Sequence, residues 1–553
     1  MTTRPATDAL LDGRHAMVQA DWPAARVAFE EVLASGEPDP PGEALEGLGL
    51  ALWFLGEIDD GIATRERAFE AYASARECDH AAHMAVWVSH QHMVAGRASA
   101  ARGWLRRAER ALEDLPACAG HGWVAVEQAR HTSDVEEQAE HARRAMEIAR
   151  ATGADDLEVF ALSVLGRAEV SAGRRERGLG LLEEAMAAAS SGRVRNVHTL
   201  AEAYCNLILS CTAAGEWELA TEWCEVVDAF ARRHNTAPLF GACRTAHADV
   251  LLATGRWPEA EDALQAALDT HARFVPQMNA PTLASLAELR VRQGRLSDAE
   301  RLLRGREEHA GSLRALALLR IAEDQPLVAV GLLERGLGAC SGDAMREARL
   351  LAPLVDARLA CDDVQGAQAA VDELARRARE TAMRLVVACA DLAAARVALA
   401  DGRPADAVSP AGRALSEFTA LAMPFEAGEA RLELARATAA DAPALAADEA
   451  RAALTVFREL GASRAMDAAA GVLRELGGTS GARFRATGEL SAREAEVLGL
   501  LALGMSNAQI AQTLTISGKT AGHHVGRILM KLGVRNRTEA AAYAVREQGI
   551  GNE

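Results

Sequence analysis

The stretch GELSAREAEVLGLLALGMSNAQIAQTLTISGKTAGHHVGRILMKLGVRNRTEAAAYAVREQG, residues 488–549, announces four short helices in succession. Ser491 with Glu494, Ser506 with Gln509, Ser517 with Thr520 and Asn536 with Glu539 each put an oxygen-bearing side chain three residues ahead of a possible reciprocal partner, the signature of a capped helix start. A first helix, about Ala492 to Leu503, carries Val497, Leu498, Leu500 and Leu501 inward and ends at Gly504, a left-handed C-cap. A second, about Asn507 to Leu514, buries Ile510, Ala511 and Leu514. After the tight Thr515-Ile516-Ser517 connection a third, about Gly518 to Leu532, turns Val525, Ile528 and Leu532 onto the same small core. A fourth spans about Thr538 to Gln548.

Outward from this unit, Gly477-Gly478-Thr479-Ser480-Gly481 has a flexible linker's composition. The expected organisation is a helical repeat domain over 1–476, a linker over 477–487 and the four-helix domain over 488–553. Charge divides the same way. The whole chain carries −18. From Gly481 onward nine Lys and Arg face six Asp and Glu, against 51 and 72 before it, and both lysines of the chain, Lys519 and Lys531, lie in the tail. An acidic body with a mildly basic tail suits a small nucleic-acid reader attached to a large regulatory domain.

The body repeats a short turn: Ala20-Asp21-Trp22, Leu55-Gly56-Glu57, Ala95-Gly96-Arg97, Ala172-Gly173-Arg174, Ala214-Gly215-Glu216-Trp217, Thr254-Gly255-Arg256-Trp257, Gln293-Gly294-Arg295-Leu296 and Ala400-Asp401-Gly402-Arg403. Weaker copies fall at Ser133-Asp134, Asp324, Asp362 and Asp441. The spacing, about 40 residues, allows two helices and two connections per beat, so roughly twelve helical hairpins are expected. Aromatics make up only 4% of the chain while Ala and Leu dominate, which favours helix over sheet, and the fold class expected is all-α. The pattern resembles tetratricopeptide-type repeats from about Asp8 to Leu476. That resemblance implies a superhelix whose concave face binds a protein or peptide.

Other features argue mainly for structure. Nine cysteines lack any C-x-x-C pair and read as reduced core residues. His80, His83, Met84, His90, His92 and Met93 crowd one segment, but no carboxylate completes a ligand set at tight spacing, so no metal and no cofactor are expected. Trp22, Trp217 and Trp257 follow their turns closely and read as packing against the preceding hairpin. No apolar run of 18 residues and no signal-peptide pattern appears, so a cytoplasmic protein without membrane contact is expected. Ser517-Gly518-Lys519-Thr520 ends like a phosphate-binding loop, yet position 513 is Thr and no strand precedes it.

Residues 488–553 resemble the LuxR-type (NarL-type) DNA-binding domain through Leu490-Ser491-x-Arg493-Glu494-x-Glu496-Val497-Leu498, Gly504-Met505-Ser506-Asn507-x-x-Ile510-Ala511, Leu514-x-Ile516-Ser517-x-x-Thr520, His524 and Lys531-Leu532-Gly533-Val534-x-x-Arg537. The resemblance implies a helix-turn-helix on double-stranded DNA, with the third helix in the major groove. Ser517 and Thr520 would touch phosphates, Lys519, Gly522, His523, Gly526 and Arg527 would face the groove beside His524, and Lys531 and Arg537 would lie nearer the backbone. The family often carries Val-Lys after the Thr and a second Lys four positions on. This chain has Ala521-Gly522 and Gly526 there, so base reading would shift to His523 and Arg527. The fourth helix would make a homodimer contact.

Large actinobacterial-type regulators of this group often place an ATPase module ahead of such repeats, and this chain looks like one without it. No nucleophile, base and orienting group occur together, so an enzyme is not expected. The expectation is a bacterial transcription regulator whose repeats receive a protein, peptide or small-molecule effector. The alternative is an interaction scaffold whose tail mainly dimerises.

Overall fold

The structure, a computed structural model, describes residues 6–35, 41–190, 194, 196–234, 241–274, 276–479 and 492–548, less 504, 515, 533 and 535. The C-cap expected of Gly504 and most of the linker therefore lie outside the described residues. Among those described, every extended element is helical and no strand occurs. The chain divides into two compact units, Met1–Leu473 and Arg474–Glu553.

The first unit holds twelve antiparallel helix pairs between Ala6 and Leu460, followed by the helix Ser463–Thr479. That last helix continues through Gly477 and Gly478, where composition favours a linker. Within each pair the two helices differ in kind. The outer ones are amphipathic, as Val135–Thr152 shows by burying Val135, Ala139, Ala142, Ala145 and Ala149 in one stripe at 3–4 residue spacing. Past the first pair, the inner ones bury more of their surface: in Asp155–Ser171, twelve residues from Leu157 to Val170 are buried. Such helices have neighbours on several sides, because each packs on its own partner and on the inner helices before and after it.

The recurring turn has one geometry. At Gly56, Gly96, Gly173, Gly215, Gly255, Gly294 and Gly402 the backbone is left-handed, and Ala20, Asp324 and Asp362 adopt it without glycine. In each the next amide closes a six-residue loop onto the preceding helix, as in Arg97 N to His92 O (2.8 Å) and Arg256 N to Leu251 O (2.8 Å). This is the Schellman closure that satisfies the last carbonyls of a helix. Two of the weaker copies fail. Asp134 is an N-cap, accepting from the amides of Glu136 and Glu137, and the segment around Asp441 has no left-handed residue. An Asp in a loop serves a helix start as readily as a stop.

Glycine has a second use at Gly294 and Gly255. A β-carbon on Gly294 would collide with Ser463, whose hydroxyl donates to Gln293 O at 2.8 Å, and one on Gly255 would collide with Pro424. These partners lie about 170 residues on. Successive turns of the superhelix thus rest on each other, and Arg292 pairs with Glu426 (2.8 Å) across the same seam. Trp257 lies against Phe425 (5.7 Å between rings) and Trp22 stacks on Phe54 (4.2 Å). Their packing therefore reaches forward to later hairpins as well as back, which local sequence could not indicate.

The interior is strongly charged. Arg396 meets Asp356 (2.8 Å), Glu429 (3.1 Å) and Glu433 (3.4 Å). Burial raises Asp356 and Glu429 above the usual carboxylate range against the pull of Arg396. Of the cysteines, Cys211, Cys224 and Cys389 have thiols pushed up to about 12 by burial, as suits inert core residues. Cys205 and Cys243 depart from expectation and form a disulfide. They sit 38 residues apart on neighbouring inner helices, about one repeat, so the repeat period brought them together where a search for short C-x-x-C spacing saw nothing. No described helix is long and apolar enough to cross a membrane.

Candidate DNA-binding interface

The second unit packs four helices, Ala492–Ala502, Asn507–Thr513, Gly518–Leu532 and Arg537–Gln548, within a residue or two of the expected bounds. Val497, Leu498, Leu501, Ile510, Ala511, Ala521, Val525, Ile528, Ala540 and Ala544 are its buried core. Ser506 and Gln509 form a reciprocal capping box. Glu539 N donates to Asn536 Oδ1 (2.9 Å), and Thr520 N donates to Ser517 Oγ (3.0 Å). Three of the four sequence-marked starts are thus capped as expected, while Ser491 lies outside the described residues.

In the third helix, Ala521, Val525 and Ile528 are buried, whereas His523, Gly526 and Arg527 are exposed on the opposite side, with Gly522 half-exposed beside them. At 100° per residue, the Cα positions of 519, 522, 523, 526 and 527 fall in one arc facing away from the core. No ion pair or hydrogen bond occupies Arg527 among the described residues. Gly526 has nothing within 4 Å of a notional β-carbon, and Gly522 has only Asn507 Nδ2 at 3.7 Å. The side chain of Lys519 lies outside what is described. Ser517 and Thr520 stand at the helix mouth, their hydroxyls 2.7 Å apart.

The remaining candidates are placed differently. Lys531 reaches back to the buried carboxylate of Glu494 on the first helix (2.5 Å). Arg537 donates to Met505 O across the domain. His524 is half-buried on the flank between these two groups, and its Nδ1 finds no hydrogen-bond partner. The exposed reading arc and the cations nearer the fourth helix are therefore separate sets. Sequence spacing grouped them because the family string runs through both. Arg493 was missed as a brace: it donates to Leu514 O (2.8 Å) and pairs with Glu496 (2.6 Å), tying the first helix to the end of the second. The Ser517-Gly518-Lys519-Thr520 run opens a helix and follows a helix, so it is not a nucleotide loop.

Residues 488–544 match the family described as bacterial regulatory proteins, luxR family, and residues 126–350 match the MalT-like TPR region. The tail is 48% identical over 58 residues to the transcriptional regulatory protein LnrK of Bacillus subtilis (strain 168), covering 10% of this chain and 26% of that protein. The chain is 37% identical over 90 residues to the DNA-binding transcriptional activator DevR/DosR of Mycobacterium tuberculosis (strain ATCC 25618 / H37Rv), 16% of this chain and 41% of the relative. It is 45% identical over 58 residues to the HTH-type transcriptional regulator MalT of Vibrio campbellii (strain ATCC BAA-1116), 10% of this chain and 6% of that one. The chain thus matches well under half the length of each relative. It joins a LuxR-family helix-turn-helix domain, at residues 488–544, to a helical repeat array that includes a MalT-like TPR region.

Proposed function

We propose that this protein is a DNA-binding transcription regulator in which His523 and Arg527 read base edges, Ser517 and Thr520 hold phosphate, and the repeat array receives the controlling signal. The observation that carries the reading is the exposed arc on the third helix. It bears an arginine paired with no carboxylate among the described residues, on a face turned away from the core, and Arg is the usual partner of guanine in the major groove. With Lys531 and Arg537 engaged inside the domain, few cations are left for phosphates. Single-site affinity is then modest with a shallow salt dependence, and paired half-sites offset it. Ala540 and Ala544 turn inward, so a homodimer contact through the fourth helix uses its other face.

For the signal, the array offers a cleft of about 1360 Å³ lined by Glu43, Glu46, Glu66, Glu70, Tyr72 and Trp104 among others. Arg67 and Arg107 line it too, Arg107 lying over the Trp104 ring (4.3 Å) and His80 stacking on Tyr72, so the cleft presents both charges to a polar effector. A mobility-shift assay on the chain's own promoter region tests the DNA reading. Arg527→Ala and His523→Ala are each expected to weaken retardation about 5- to 100-fold, on the scale of one base-edge contact. No retardation at low salt, or retardation indifferent to both changes, overturns it. The empty positions at Gly522 and Gly526 favour the second reading, a scaffold whose tail mainly dimerises, and that outcome would support it.

A further inference from the structure

We propose that His90, His198 and Glu202 form a binding site for a divalent transition-metal ion, zinc foremost, inside the repeat array. His90 lies on the inner helix Cys78–Val94, while His198 and Glu202 lie one turn apart on the inner helix Val197–Ala214, so the latter two share a face. Their ligand atoms gather within 4.8 Å of one another, and no other such group of His, Cys, Asp or Glu occurs among the described residues. The ring nitrogens of His90 and His198 each stand 3.6 Å from Glu202 Oε1. That is too long for a hydrogen bond. It is close to the separation of about 3.4 Å expected between two atoms each about 2.1 Å from a tetrahedral zinc.

One of these groups is left wanting a partner. His198 is 1% exposed, and neither of its ring nitrogens finds a hydrogen bond among the described residues. An imidazole buried in that state forfeits its hydration for nothing, unless a further atom fills the space. The carboxylate is already engaged on one side: Arg130 forms an ion pair with Glu202 Oε2 at 2.9 Å, which leaves Oε1 to ligate singly. Arg130 is in turn paired with Glu127 (3.4 Å), while the buried Arg167 also acts on Glu202 and Arg65 on His198, so the incoming dication enters a site of mixed charge. Trp87 packs on both rings, centroids 4.2 Å from His198 and 5.9 Å from His90, and restricts their rotation.

Two imidazole nitrogens with one carboxylate oxygen suit zinc and disfavour calcium or magnesium, which take oxygen ligands. Three protein ligands leave a fourth position open. The bound ion would tie the third helical pair to the sixth, so its occupancy would stiffen the array between them. The expectation of no metal rested on spacing along one segment. His80 stacks on Tyr72 and His83 accepts from Trp87 Nε1 (2.8 Å), so those two are spent, and the ligands that complete His90 come from a distant helix.

The test uses the full chain, stripped with a chelator, loaded with Zn²⁺, dialysed and assayed for metal by mass spectrometry. About one retained equivalent per chain is expected, together with a rise in melting temperature on zinc addition. His90→Gln, His198→Gln and Glu202→Gln should each lose both effects, while His80→Gln and His141→Gln should keep them. Circular dichroism checks folding of each variant, and His90→Gln at the edge of the cluster decides the matter should His198→Gln not fold. Wild-type chain that retains no zinc, or zinc retained undiminished by His90→Gln and Glu202→Gln, overturns the proposal. The readout involves no DNA, so its failure is distinct from failure of the regulator reading.

Discussion

Lys531, near the end of the third helix, gives its ammonium to the carboxylate of Glu494, a side chain only 5% exposed on the first helix. The pair ties the third helix to the first and partly covers one of the chain's two lysines. Lys531→Met should therefore act on stability before it acts on DNA. It removes a cation from a buried carboxylate, and a loss of about 1–2 kcal/mol is expected for this partly exposed partner. Hydrogen exchange across residues 492–548 should show faster opening, partly restored by adding Glu494→Gln, whereas unchanged exchange would place the lysine in a merely superficial contact.

Gly526 offers a gain-of-function test. Nothing lies within 4 Å of its notional β-carbon, and it stands on the exposed arc of a helix. Gly526→Lys should stabilise the helix by about 0.5–1 kcal/mol, because a glycine interior to a helix forfeits that much. It should also tighten DNA binding and steepen the salt dependence by about one counterion. Titrations at several salt concentrations check both.

Arg396 holds three carboxylates in the solenoid interior. Its replacement by Met should cost about 2 kcal/mol at neutral pH, less than for a fully buried pair, because Asp356 and Glu429 are each about a third exposed and Glu433 keeps Arg436 (2.8 Å). Because burial already lifts Asp356 and Glu429, protonation relieves that repulsion. The gap in melting temperature between variant and wild type should narrow as pH falls from 7 towards 5. A gap that stays constant over this range would show that the arginine's contribution is packing alone.

His83 makes the array acid-sensitive. Burial first, then the nearby Arg65, lowers its pKa to about 3 from an ordinary 6.5, and its Nε2 accepts from Trp87. A base with a depressed folded pKa takes up its proton more readily when unfolded. The stabilisation is therefore complete above about pH 6.5 and is lost as pH falls towards 3, at about 1.4 kcal/mol per pH unit once well below 6.5. Melting temperatures between pH 7.5 and 5 should fall more steeply for wild type than for His83→Asn, and parallel curves would remove His83 as the cause.

The residues explain why some features were legible and others hidden. Gly56, Gly96 and Gly173 mark helix stops because a left-handed backbone is a local requirement, visible in a window of a few residues. The capping pairs Ser506 with Gln509 and Asn536 with Glu539 were legible for the same reason. The bond between Cys205 and Cys243, the packing of Trp257 on Phe425 and the meeting of His90 with His198 were not. Each joins groups whose separation depends on how the repeats stack or on the pitch of the superhelix, which short-range spacing does not encode.

By itself, the sequence determined the helical repeats, the four-helix tail and the helix faces within each, because capping, periodicity and burial act over one or two turns. Only the tertiary structure decided which side chains remain for function. Lys531 and Arg537 are drawn to Glu494 and Met505 by the packing of separate helices, while Arg527 stays exposed. His198, which already faces Glu202 one turn along its own helix, is carried by the superhelix to His90. Local free energy writes the elements, and long-range packing assigns the charges.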